Sequence, residues 1–145
     1  MKKAILKKQN IIIGCKKQSR DEAIARVGNM LVESGYVTQD YIKAMYERED
    51  IVSTFIGNGV AIPHGVGDAK HAIKTSGIVV IQYPEGIEYN GNTVYLVIGI
   101  AGKDNDHIKI LSRIAESLSE EADAKKLWHT QDIDVIYQAF VGDNT

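Results

Sequence analysis

There is a single cysteine in the 145 residues, Cys15, which excludes an internal disulfide and any Cys-x-x-Cys metal site. No apolar run approaches the roughly 20 residues that a membrane span needs. The basic N-terminus, Met1-Lys2-Lys3-Ala4-Ile5-Leu6-Lys7-Lys8, lacks the apolar core of a secretion signal. Charge of one sign is missing too. With 17 basic and 19 acidic residues the net charge is −2, which argues against a nucleic-acid binder that works by neutralising phosphates. Repeats, linkers and low-complexity tracts are absent, so residues 1–145 read as one domain. At 44% hydrophobic and 25% charged residues the composition is that of an ordinary soluble globular protein, and the lone cysteine with no signal or span reads as cytoplasmic. Catalytic signatures are equally scarce. No phosphate-cradling glycine loop, no G-x-S-x-G elbow and no H-E-x-x-H pair occurs. Direct use of ATP, a serine nucleophile and a clustered zinc site are therefore not expected.

What is present is an alternation of strand-like and helix-like segments. Ile11-Ile12-Ile13, closed by Gly14, reads as a short strand. Ser19-Arg20-Asp21-Glu22 has the capping-box form, and the apolar spacing after it predicts a helix of about four turns up to Gly35. Thr38 is placed to cap a second helix, with Tyr41, Ile42, Met45 and Tyr46 as its stripe and Arg48, Glu49 and Asp50 at its end. Thr54-Phe55-Ile56 and Val60-Ala61-Ile62 are extended segments around the Gly57-Asn58-Gly59 turn. A loop from Gly65 to Asp68 and a helical turn over Ala69 to Lys74 follow, with His71 on the surface. Ile78-Val79-Val80-Ile81 suits a strand buried on both faces. Tyr83-Pro84-Glu85-Gly86 reads as a turn, Ile87-Glu88-Tyr89 as an exposed edge, and Asn90-Gly91-Asn92 as a second turn. Thr93 to Ala101 is the strongest strand, too apolar to have a wet face, so helices are expected on both sides of the sheet. The chain then reads as three helices. The first carries His107 in its opening turn and Ile108, Leu111, Ile114, Ala115 and Leu118 as its stripe. The others run from Ala122 to Trp128 and from Asp132 to Phe140, with His129 in the connection.

His64 and His107 share a setting among the four histidines: each follows the end of a strand. In α/β sheets ligand sites gather at such ends. His64 is pinned between Pro63, which restricts the backbone, and Gly65, which can take positive φ or let another backbone come close. An imidazole held this way is suited to accept a transferable group, or is simply a turn histidine; spacing leaves both open. A histidine pair can bind a metal, serve a serine nucleophile, or share a phosphoryl group with one ring carrying it and the other stabilising it. Only the last lacks a missing part, and it needs no cofactor. His107 is either a solvated first-turn residue or the supporting ring; near a helix N-terminus it is disfavoured as imidazolium until a phosphate arrives and reverses that preference. Arg48 is either a solvated residue favoured by the helix dipole or a guanidinium that helps hold a phosphoryl group. A phosphoryl carrier also needs a partner face, to which Val60 and Ile62 are expected to contribute.

The order of several motifs carries a resemblance. Gly57-x-x-x-Ala61-Ile62-Pro63-His64-Gly65 looks like the phosphorylation-site motif of enzyme IIA domains of the mannitol/fructose class, in the bacterial phosphoenolpyruvate-dependent sugar phosphotransferase system. Gly35 to Glu49 resembles the helix leading to that family's active-site arginine. Gln82 to Gly86 and Leu96 to Ala101 recur there, and Asn105-Asp106-His107-Ile108 resembles the segment with the second active-site histidine. The likeness covers nearly the whole chain. It implies an α/β fold with a mixed central sheet between helices, and His64 as phosphoryl acceptor through Nε2, with Arg48 and His107 around it. It implies phospho-HPr as donor and a cysteine of the mannitol enzyme IIB, attached to or working with a membrane IIC transporter, as acceptor. It also implies a monomer or weak dimer. With no IIB or IIC portion, the chain is expected to act on a separate polypeptide or to be part of a longer one. A second reading is a nitrogen-branch type of regulatory module; His107 and the Gln82–Gly86 motif favour transport.

Overall fold

The computed structural model describes residues 5–65 and 71–141. Among them, five strands form one mixed sheet in the order β1-β4-β5-β3-β2: β1 (Leu6–Ile12), β2 (Phe55–Gly57), β3 (Val60–Ala61), β4 (Gly77–Tyr89) and β5 (Asn92–Ala101). β1 runs parallel to β4, β4 antiparallel to β5, β5 parallel to β3, and β3 antiparallel to β2. The described residues also form five helices: α1 (Arg20–Glu33), α2 (Asp40–Ile51), α3 (Asp106–Ser117), α4 (Glu121–Trp128) and α5 (Ile133–Val141).

Alternating side chains of β4 and β5 feed two separate cores, as strands covered on both faces must. Val79, Ile81, Val97 and Ala101 pack with Ile24, Val27 and Leu31 of α1 and Tyr41 and Met45 of α2. Ile78, Val80, Leu96, Ile98 and Ile100 pack with Ile110 and Ile114 of α3, Leu127 of α4 and Ile136 of α5. The expected α/β architecture, a mixed sheet with helices on both faces, is the one observed.

Local signals explain much of this. Ser19 caps α1 with the reciprocal bonds of a capping box, and Gly35 takes φ +82° just past the helix. Asn90 and Gly91, both at positive φ, make the tight β4–β5 hairpin.

Four expectations need correction. Thr38 does not cap α2. Its carbonyl accepts from Tyr41 N–H, and the helix begins at Asp40 with no side-chain cap bond. Tyr83 to Gly86 is not a turn but lies inside β4, where the register shifts between Gln82 and Ile87 and Gly86 takes φ +79°. A bulge absorbs extra residues without reversing the chain, and turn-favouring residues serve both purposes. Ile87 and Tyr89 beyond it are buried, so only Glu88 on that stretch is exposed. In α3 the buried stripe is Ile110, Ile114 and Leu118, with Ile108 and Ala115 exposed. Two overlapping apolar stripes occur in that helix, and the sheet selects one. The proposed helical turn over Ala69 to Lys74 falls partly outside the described residues, as do most of residues 65–68; His71 is exposed, as expected.

Candidate functional site

The site is built by the parallel pairing of β3 with β5, Val60 opposite Leu96 and Ala61 opposite Val97. Parallel neighbours end at the same edge of a sheet. The chain leaving β3 therefore reaches His64 at the rim where the chain leaving β5 enters α3 and His107. The ladder extends one rung further, with Ile100 N–H donating to Pro63 O at 3.1 Å and His64 bridging Ile100. The two imidazole rings lie 5.1 Å apart between centroids, tilted by 58°. The pairing that spacing left open is thus made.

His64 is only 6% exposed, and its Nδ1 lies 2.7 Å from the Ile62 carbonyl oxygen. A carbonyl can only accept, so the neutral ring carries its proton on Nδ1 and keeps the lone pair on Nε2. Burial pulls the His64 pKa below 6.5. The Ile62 carbonyl and Glu49 oppose this, and the charges of His107 and Arg48 add to it. His107, half-buried, is pulled below 6.5 by burial and by Arg48. Both rings are therefore neutral at pH 7, the form in which Nε2 is a nucleophile. NMR titration of the two rings should give midpoints below 6.5, with the nucleophilic form of His64 lost as pH drops through the His64 midpoint. Between that midpoint and 6.5 the unfolded chain binds more protons than the folded one, so stability also declines as pH falls through this window. Midpoints above 6.5 would refute the burial argument.

His107 is set in place by the loop before it. Ser76 Oγ donates to Asp106 Oδ2 at 2.7 Å and accepts from Lys103 N–H at 2.9 Å. Gly102 lies so close that a Cβ there would fall 2.3 Å from His107 Cα. Arg48, in the last turn of α2, donates from Nη1 to the Val52 carbonyl at 2.7 Å, and its charge reaches both rings. This bond engages one of five guanidinium N–H donors.

Two supporting groups have no signature in the sequence. Glu49, 3% exposed, accepts from Thr54 N–H (2.7 Å), Thr54 Oγ1 (2.8 Å), Tyr89 OH (2.8 Å) and Asn90 Nδ2 (3.1 Å), which ties the end of α2 to β2 and the β4–β5 hairpin. Tyr41 reaches the His64 segment, and its ring explains Gly65, where a Cβ would come within 2.6 Å of it. The close approach expected at Gly65 is made by a side chain, not by a backbone. Helical spacing offers one hint, since Tyr41 and Arg48 are two turns apart on one face of α2.

Val60 and Ile62 do not form a partner face; at 0% and 7% exposed they belong to the core. Among the described residues, the exposed apolar side chains next to the site are Ile51 (71%) and Val52 (59%) just after Arg48, and Ile108 (67%) just after His107. Gln82 is bonded to neither His64 nor His107 and fixes α4, donating to Leu127 O and Thr130 O and accepting from Gly14 N–H.

Comparison with known proteins points the same way. A family model described as "Phosphoenolpyruvate-dependent sugar phosphotransferase system, EIIA 2" matches residues 4–141. The mannitol-specific phosphotransferase enzyme IIA component of Bacillus subtilis (strain 168) is 51% identical over 124 residues, covering 85% of this chain and 87% of that one. Among solved structures, the complex of enzyme IIAMtl with phosphorylated enzyme IIBMtl from Escherichia coli superposes with a TM-score of 0.86 at 36% identity, covering 92% of this chain and 95% of its counterpart. The crystal structure of IIA mannitol from Escherichia coli gives 0.83 at 36% identity, with 91% and 96% covered. With a family match running almost end to end and a fold that superposes this closely, the chain belongs to the EIIA 2 family of the phosphoenolpyruvate-dependent sugar phosphotransferase system.

Proposed function

We propose that this protein is a cytoplasmic phosphocarrier of sugar-alcohol uptake, with residues 1–145 acting as one enzyme IIA unit. It takes a phosphoryl group from phospho-HPr onto His64 and passes it to a cysteine of a mannitol enzyme IIB. The observation that carries this reading is the buried His64 ring, its Nδ1 2.7 Å from the Ile62 carbonyl oxygen and its partner ring 5.1 Å away. The mannitol-specific names of the relatives and the IIA–IIB complex support the substrate branch and the acceptor. They favour transport over a regulatory module. Among the described residues no helix is long and apolar enough to cross a membrane, which agrees with a partner working beside a transporter.

In the first transfer the lone pair on His64 Nε2 forms a bond to phosphorus as the P–N bond to the donor histidine breaks, its electron pair returning to the donor ring. In the second, a cysteine thiolate forms the new P–S bond and the His64 P–N bond breaks. Such transfers ask mainly for in-line positioning and charge stabilisation. Arg48 supplies a permanent charge and a donor fork. His107 supplies a conditional charge: a phosphoryl group on His64 raises its pKa, and the resulting imidazolium donates to a phosphoryl oxygen. Ile51, Val52 and Ile108 provide apolar surface for a docking partner that must exclude water during transfer.

The test is reconstitution with phosphoenolpyruvate, enzyme I, HPr and a separate mannitol IIB domain, with a fructose IIB domain as comparison. Label should reach the mannitol IIB domain through this protein. Arg48→Ala and His107→Ala should each fold normally and slow transfer by about 10²–10⁴. Unchanged rates in both variants would remove these residues from the site, and preference for the fructose domain would overturn the sugar assignment.

A further inference from the structure

A parallel ladder that has just bonded Ile100 N–H to Pro63 O would close its next rung between Gly65 N–H and Ile100 C=O. Both of those groups meet the same side chain here. Gly65 N–H donates to Tyr41 Oη at 2.9 Å, and Tyr41 Oη donates to Ile100 O at 2.7 Å. Tyr41 itself is 1% exposed. Its phenol, pushed up to about 12 by burial, keeps its proton throughout the working pH range. It therefore accepts from one backbone group and donates to the other, with no second arrangement that satisfies both. The ring is pressed against Gly65 from the same side. His64 thus sits between Pro63, bonded directly to Ile100, and Gly65, whose N–H bonds to the hydroxyl that also holds Ile100.

We infer that Tyr41 is a positioning residue for phosphoryl transfer, its hydroxyl setting where the His64 ring stands relative to the rest of the site. Tyr41 touches no reacting atom. It acts because one rigid helix carries both it and Arg48, so the hydroxyl that holds the His64 backbone also fixes how α2 presents the guanidinium. Removing the oxygen leaves Gly65 N–H and Ile100 C=O to find each other across the space it occupied. That can only happen if the histidine loop or α2 moves. Reactions that depend on in-line approach lose about 10²-fold for displacements near 1 Å.

The inference rests on His64 being the acceptor, and the experiment separates the two. Tyr41→Phe is expected to retain its circular dichroism spectrum and its affinity for phospho-HPr. Its maximal transfer rate should fall about 10- to 100-fold, and the ¹⁵N shifts and titration midpoint of the His64 ring should change. Tyr83→Phe removes a different buried hydroxyl, bonded to Gln18, and should leave both readouts alone. A Tyr41→Phe protein with parental rate and parental His64 spectra would overturn the inference, as would weaker donor binding with an unchanged maximal rate. If that variant fails to fold, Gly65→Ala, which forces the ring away from the loop, is expected to give the same paired change, and parental behaviour there overturns the inference too. Should His64→Ala still accept label in this assay, the acceptor assignment falls, while the ring spectra of Tyr41→Phe continue to test the hold of Tyr41 on the loop.

Discussion

His64→Ala is expected to take up no phosphoryl group from phospho-HPr, while circular dichroism still reports the native fold. The loss should be complete, not partial, because no neighbour can substitute. His107 is pulled below its ordinary pKa like His64, but its ring is placed by α3 and not by the β3–β5 ladder. It also lacks any described carbonyl committing one of its nitrogens. The structural cost should be modest. The lost ring leaves one buried carbonyl, that of Ile62, without its donor, worth about 1–3 kcal/mol. Phosphohistidine mapping of the parent and the variant decides the matter. Label on the variant at the parental rate would mean that the phosphoryl group goes elsewhere and that the site has been misassigned.

The largest stability effect is expected at Glu49. Glu49→Ala removes the shared acceptor of Thr54 N–H, Thr54 Oγ1–H, Tyr89 O–H and the Asn90 amide. The amide keeps Ser53 Oγ and the two hydroxyls, 3.1 Å apart, keep each other, so Thr54 N–H and one hydroxyl lose their acceptor outright. Two of these residues, Thr54 and Tyr89, are buried. Removing one member of such a buried charged network typically costs about 3–5 kcal/mol, which corresponds to a fall in melting temperature on the order of 10 °C for a chain of this size. Because Glu49 follows Arg48 on the same helix end, the variant should also transfer more slowly at temperatures where it remains folded. Glu49→Gln keeps the volume and some of the acceptor capacity, so an intermediate loss is expected. Thermal unfolding with parallel transfer assays measures both effects. A Glu49→Ala penalty below about 1 kcal/mol would show that these donors find other partners.

These expectations divide between what can be read along the chain and what cannot. The α1 capping box, the Asn90-Gly91 hairpin and the strand from Thr93 to Ala101, which begins one residue earlier in the structure, are legible because each is decided within a few residues. So is the motif that presents His64 next to a proline and a glycine. The phase of α3 is not legible, because Ile108, Leu111 and Ala115 compete on paper with Ile110, Ile114 and Leu118, and only the packed sheet chooses. Tyr83 to Gly86 shows the same limit, since residues that favour a turn also suit a bulge when a partner strand continues past them.

By itself the sequence determined the chemistry on offer: one histidine pinned at a strand end, a second at a helix start, an arginine at the end of a helix, and two-sided apolar strands that require helices on both faces. The tertiary structure alone decided that the two histidines meet. Val60 and Ala61 pair in parallel with Leu96 and Val97, so two strand ends distant along the chain share one rim. It also decided that Tyr41 and Glu49, ordinary members of a helical pattern, become a buried hydroxyl bridge and a buried carboxylate hub. Local preferences act over a few bonds, whereas register, burial and hydrogen-bond partners between distant residues are set only when the whole sheet packs.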